Sequence, residues 1–210
     1  MILQSPILAQ LAWIDHGFGT RLAPLSQEGM ASLKQIHSAS ALAANQPGCA
    51  GEGDALLTNS PGLRLSVRTA DCYPILLADT KNRAVAAVHA GWRGAADEIL
   101  AKTIAKMRAQ FGTLPADIVA AIGPGIGVCC YEVGAEVAQL FGVEGAGRVD
   151  LAAANRCQLI DAGVEDRPID VLGGCTSCDT ARFYSFRREK EETGRMISYI
   201  GLVQSAGSGF

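Results

Sequence analysis

Three histidines and seven cysteines occur in the 210 residues, few enough for each to be weighed as a ligand or a nucleophile. His37 follows Lys34-Gln35-Ile36 at the end of a short predicted strand, where reactive side chains are commonly displayed. His89 ends the apolar run Val85-Ala86-Ala87-Val88 and enters Ala90-Gly91-Trp92-Arg93-Gly94. Those glycines permit a tight turn and close ligand approach, and the predicted helix beyond them attracts anions to its N-terminus. Cys72, in Thr69-Ala70-Asp71-Cys72-Tyr73-Pro74, precedes a predicted buried strand and has a carboxylate beside it. A thiol so placed suits either a metal ligand or a nucleophile.

Zinc favours thiolate and imidazole, and a catalytic zinc site uses three protein ligands while leaving a fourth position open. His37, Cys72 and His89 fit that chemistry, although their wide spacing is not diagnostic. A cysteine hydrolase with Cys72 as nucleophile and His89 as base stays open beside it. His16, in Trp13-Ile14-Asp15-His16-Gly17-Phe18, reads as a structural histidine at a strand end. The pair in Cys175-Thr176-Ser177-Cys178 has the two-residue gap of a zinc or redox element. No second such pair or nearby histidine completes it, so it reads as two ordinary thiols; with the vicinal pair Cys129-Cys130 included, most of the seven cysteines are expected to be reduced and some to be available to a metal.

The elements that must position these residues are read from periodicity. Apolar runs at residues 63–67, 73–78 and 84–89 are short, bounded by Gly, Pro, Asp or Asn, and predict buried strands, with a hairpin turn at Asp79-Thr80-Lys81-Asn82. Leu100, Ile104, Met107 and Phe111 share one stripe of a helix predicted over 95–111 and closed by Gly112. Further helices are predicted at 133–141 and 151–162, and strands at 117–122, 168–172 and 196–202. This mixture lacks the regular alternation of a doubly wound fold and predicts a mixed α/β single domain over 1–210, with helices outside mixed sheets.

The net charge of -3, with basic residues interspersed among acids, argues against nucleic-acid binding through a phosphate-neutralising surface. No apolar run approaches the length of a membrane span, and no Lys or Arg precedes the first apolar residues. A soluble cytoplasmic protein with mostly reduced thiols is expected.

Six ordered stretches carry a resemblance. They are Lys34-Gln35-Ile36-His37-Ser38, Gly53-Asp54-Ala55-Leu56-Leu57-Thr58, Thr69-Ala70-Asp71-Cys72, and Ala87-Val88-His89-Ala90-Gly91-Trp92-Arg93-Gly94. The fifth runs from Ala121-Ile122-Gly123-Pro124-Gly125-Ile126 to Cys129-Cys130-Tyr131-Glu132-Val133-Gly134, and the sixth is Arg182-Phe183-Tyr184-Ser185-Phe186-Arg187-Arg188 followed by Thr193-Gly194-Arg195. Together they resemble the YfiH-like laccase-domain family, also described as purine nucleoside phosphorylases. The resemblance implies a zinc site at His37, Cys72 and His89, the residues that the ligand chemistry selects.

It further implies phosphorolysis of adenosine, inosine, guanosine or 5'-methylthioadenosine, deamination of adenosine, or both, with a purine nucleoside and phosphate as small-molecule partners. Deamination requires a metal-activated water, with Asp71 as the candidate acid or base. Phosphorolysis requires an anion site, for which Arg93 is the candidate, unless it is a structural arginine. Gln35, Asp54, Trp92 and Arg187 are the expected substrate contacts; Trp92 either stacks on a base or fills core, and Arg187 or Arg188 either meets phosphate or pairs with an acid such as Glu132.

The resemblance departs between Thr20-Arg21 and His37, where only residues 22–33 stand in place of a longer segment bearing Gly-Gly-x-Ser, Leu-Asn and Asn-Arg elements. That shortening supports a further alternative, a catalytically lapsed zinc-binding relative. The older family name implies instead a copper-dependent polyphenol oxidase, for which three histidines are few.

Overall fold

The computed structural model describes residues 1–204. In chain order its elements are β1 (Ile14–Phe18), β2 (Ala31–Lys34), β3 (Ala41–Ala43), β4 (Gly48–Glu52), β5 (Ala55–Thr58), β6 (Arg64–Thr69), β7 (Tyr73–Asp79) and β8 (Ala84–Ala90). Then come α1 (Trp92–Ala96), α2 (Ile99–Phe111), β9 (Ile118–Ile122), β10 (Glu132–Val133), α3 (Ala135–Gln139), β11 (Gly147–Arg148), α4 (Leu151–Asp161), β12 (Ile169–Val171), α5 (Phe186–Glu189) and β13 (Met196–Leu202). Six strands form one sheet in the order β12-β9-β7-β8-β5-β3, and five form another in the order β1-β13-β6-β2-β4. Both sheets mix parallel and antiparallel pairs, so the chain is a mixed α/β protein.

Every residue of β7 and β8 is buried, which explains why both appear in the sequence as unbroken apolar runs rather than as alternating patterns. Alternation appears instead in which layer each side chain meets. Ile75, Leu77, Ala86 and Val88 pack with Leu100, Ile104 and Met107 of α2. Leu76, Val85 and Ala87 turn the other way, against Leu65, Val67 and Ile200 of the five-stranded sheet. The six-stranded sheet is thus the middle layer between helices and a second sheet.

The turn joining β7 to β8 is built as its residues predict. Asp79 accepts from the backbone N–H groups of Lys81 and Asn82, at 2.9 Å each, and from the Asn82 side-chain amide. It fixes the register at Asp79 opposite Ala84 and, at the other end, Tyr73 opposite Ala90.

The helix predicted over 95–111 is two helices. Asp97 caps α1, and Glu98, at φ 58°, turns the chain before α2 begins. The carbonyl of Ala95 accepts from the Gln158 side chain and from the Glu98 N–H, so tertiary packing ends α1 where propensity would continue it. Gly112 closes α2 in the left-handed conformation, as predicted. The helix predicted from 133 starts at Ala135, because Glu132 and Val133 pair with Arg148 and Gly147. His16 lies within β1 rather than at its end; it is buried, and its Nε2 accepts from the Ser5 N–H at 3.0 Å, a structural role. No helix among the described residues is long and apolar enough to cross a membrane.

Candidate metal centre

Topology gathers the ligands at one end of the six-stranded sheet. β7 and β8 are antiparallel neighbours, so the start of one meets the end of the other, and Cys72, just before β7, comes to His89 near the end of β8. β5 runs antiparallel to β8 with Ala55 opposite Val88, which places Asp54 against His89. β3 lies parallel to β5, and His37 stands in the segment leading into it. One ligand atom from each of His37, Cys72 and His89 lies within 4.8 Å of the other two. The two imidazoles meet edge to face with centroids 4.9 Å apart.

Asp54 is the organiser. Its fully buried carboxylate accepts from the backbone N–H groups of Ile36, His37 and Ser38 at 3.3, 3.1 and 2.6 Å, and from the Ser38 hydroxyl at 2.8 Å. These bonds hold His37 at φ 59°, a conformation that a residue with a side chain adopts only when its surroundings impose it. The same carboxylate lies 2.8 Å from Nδ1 of His89. An imidazole donating through Nδ1 offers its Nε2 lone pair to a metal, the arrangement that orients ligand histidines in zinc sites. Gly91 lies beside the thiol: a methyl group there would sit 3.0 Å from Cys72 Sγ and 3.3 Å from His37 Cδ2. A larger residue would press on two ligands at once.

Burial alone would raise the Asp54 pKa, but its hydrogen bonds from His89 and Ser38 draw it down to about 2. Burial likewise opposes ionisation of Cys72, yet the His89 charge and hydrogen bonds from both histidines bring the thiol to about 6. Burial would lower His89, whereas the Cys72 thiolate and Asp54 raise it to about 9. At neutral pH the metal-free chain therefore holds a thiolate beside an imidazolium.

A metal requires the thiolate and a neutral imidazole, so its uptake displaces protons and its affinity rises with pH. Calorimetry in buffers of different ionisation enthalpy is expected to find about one proton released near pH 7.5, from His89, and about one more below pH ~6, from Cys72. Above pH ~9 the release should vanish. A proton count constant across this range would contradict the thiolate–imidazolium assignment.

The centre opens into a cavity of about 700 Å³. Trp92 and Phe186 supply aromatic lining, while Arg68, Arg93 and Arg195 bring positive charge near the single carboxylate of Asp71 among its described lining residues. Asp71, at φ 85°, accepts from the Thr176 hydroxyl at 2.7 Å on one oxygen and from the Arg187 N–H at 2.6 Å on the other. Gln35 lines the cavity and pairs with the backbone of Arg68 in both directions, at 2.8 Å each.

Two of the expected substrate contacts, Asp54 and Arg187, are not among the described lining residues of the cavity, whereas Arg93 is. Asp54 does not border the cavity; it lies fully buried behind His89, with five donors converging on its carboxylate, and its hydrogen bonds orient the His37 backbone and the His89 ring. The Arg187 side chain donates to the Glu132 carbonyl at 2.8 Å and lies over Tyr131, so only its backbone reaches the site, through Asp71. Arg93 borders the cavity and stacks on Trp92 at 4.2 Å; because α1 has only five residues and offers little dipole, any anion there would be held by the guanidinium's own charge.

The model of the family described as multi-copper polyphenol oxidoreductase laccase matches residues 19–203. The chain belongs to this YfiH-like, laccase-type family. A relative from Deinococcus radiodurans named purine nucleoside phosphorylase is 43% identical over 190 residues, covering 86% of this chain and 73% of that protein. Adenosine deaminase RL5, from an unknown prokaryotic organism, is 37% identical over 161 residues, covering 70% of this chain and 61% of that protein. The crystal structure of YlmD from Geobacillus stearothermophilus superposes with a TM-score of 0.87 at 28% identity, covering 95% of this chain and 94% of that one. Relatives in this family are thus named as enzymes of purine nucleosides, and the metal-binding character that its name implies matches the His37, Cys72 and His89 cluster.

Proposed function

We propose that the chain is a zinc-dependent enzyme of purine nucleosides, carrying out adenosine deamination, phosphorolysis, or both. The observation that carries this reading is the three-ligand His37, Cys72 and His89 cluster beside an aromatic and cationic cavity large enough for a nucleoside. The donor set favours zinc: a soft thiolate with two imidazoles suits it, whereas several coppers would need histidines that the chain lacks, His16 being engaged with Ser5. Zinc there would supply Lewis-acid activation of water or of a substrate oxygen.

The chain's own residues supply the rest. Trp92 and Phe186 offer faces for a purine, and Asp71, held as an acceptor by Thr176 and Arg187, is the group that takes or returns a proton near N1 or N7 of the base. Arg68, Arg93 and Arg195 supply positive charge for phosphate, the nucleophile that would displace the base from the ribose. Adenosine incubated with zinc-loaded protein, with and without phosphate, is expected to yield inosine, or adenine and ribose 1-phosphate. Neither product from protein with a full complement of zinc would refute the reading.

A second reading has one specific observation in its favour. Asp54, His89 and Cys72 stand in the order orienting acid, base and nucleophile, as in a cysteine hydrolase. Activity that survives chelation but is lost on alkylation of Cys72 would establish it and dismiss the metal mechanism.

A further inference from the structure

The exits of β9 and β12 bring together four thiols that the metal centre does not use. These strands are parallel neighbours, so their following loops leave the sheet side by side, and Gly125 bridges to Cys175 while the Thr176 N–H donates to the Gly125 carbonyl at 2.9 Å. The sequence separates Cys129-Cys130 from Cys178 by up to 49 positions, yet Cys178 Sγ lies 3.5 Å from Cys129 Sγ and 3.3 Å from Cys130 Sγ. With Cys175, all four sulfurs lie within 4.8 Å of one another. The missing second pair for the Cys175-Thr176-Ser177-Cys178 element is therefore the vicinal pair.

We propose that Cys129, Cys130, Cys175 and Cys178 bind a second zinc ion in a closed tetrathiolate site. A tetrahedral site with Zn–S bonds of about 2.3 Å sets sulfurs about 3.8 Å apart, close to the observed spacing. All seven cysteines are unbridged, and although Cys130 and Cys175 pack partly against the core, Cys129 and Cys178 are exposed, so neither a disulfide nor core packing accounts for the four together. The cradle is shaped for it. The Gly127 N–H donates to Cys175 Sγ at 3.2 Å, as backbone amides do to metal-bound thiolates, and a methyl at Gly127 would sit 3.1 Å from Cys175 Cβ and 3.3 Å from Cys129 Sγ. Four protein ligands leave no open position, so the ion is structural.

What it would hold is the cavity wall. Thr176, inside the Cys175 to Cys178 turn, donates to the Asp71 carboxylate, and the Ile126 N–H, just ahead of Cys129, donates to the Asp71 carbonyl at 2.8 Å. Clamping the two loops together fixes Asp71 next to Cys72 from both sides.

The test is zinc content of protein purified under reducing conditions with zinc supplied. About two ions per chain are expected in the parent protein, about one in His89→Ala, about one in Cys178→Ser, and none in the double variant. Cobalt substitution of His89→Ala guards against a Cys178→Ser variant that fails to fold: the strong sulfur-to-metal absorption of a four-thiolate site is expected to persist there. A parent with one ion that His89→Ala loses would overturn the proposal, as would disulfides found by thiol counting in denaturant. A parent with one ion that only Cys178→Ser loses would uphold it while removing the zinc from the proposed catalytic centre.

Discussion

An Asp54→Ala variant is expected to lose about 3 kcal/mol of stability and to bind zinc roughly 10- to 100-fold more weakly, although Asp54 does not line the cavity. Its removal leaves the amides of Ile36, His37 and Ser38 without their acceptor inside the protein and frees the His89 ring to rotate. Because the carboxyl is held at about 2 in the fold and titrates near 3.8 when unfolded, its contribution is complete above the higher value and disappears as pH falls through the lower. Urea unfolding at neutral pH and near pH 3 should therefore show a larger acid-induced loss in the parent than in the variant. A variant with the parent's midpoint and the parent's zinc affinity would remove Asp54 from its organising role.

Gly123→Ala is expected to destabilise the protein by about 3 kcal/mol through overpacking. A methyl there would sit 2.5 Å from Phe18 Cε1 and 2.9 Å from Pro74 Cγ. Phe18 is fully buried and has nowhere to go, and Pro74 belongs to β7, two residues beyond Cys72. The backbone of Gly123 is pinned as well, donating to the Pro74 carbonyl at 2.9 Å. Relief of the clash would thus shift the strand that begins directly after the Cys72 thiol, and metal affinity should fall along with stability. Chemical denaturation decides it: a loss under about 0.5 kcal/mol would show that the two layers are looser than this packing implies.

The strands that build the site were legible because their chemistry is local. β7 and β8 are runs of apolar residues closed by an aspartate whose side chain makes the turn, and β13 has the boundaries that its pattern predicts. The stripe of Leu100, Ile104 and Met107 likewise faces the core. What the pattern conceals is set by contacts between distant segments. Glu98 takes a left-handed conformation where periodicity would run one helix through, and β4, with its largely exposed Gly48-Cys49-Ala50-Gly51-Glu52, has no apolar signal at all. The candidate ligands His37, Cys72 and His89 stand out in the sequence by donor type and by resemblance. The motif marks Asp54 as part of the site, but only the fold shows its carboxylate sealed behind His89 and away from the cavity. The cysteine cluster was missed because its two halves meet only where parallel strands end together.

His37, Cys72 and His89 gather at one end of the strands of the six-stranded sheet, and the turn held by Asp79 lies at the opposite end, seven strand residues away, or roughly 23 Å. Positions 80–83 are exposed there. A tether to a surface, a dye or an inserted peptide placed at Lys81 would anchor the molecule by its far side, leaving the mouth of the cavity turned outward to the solution.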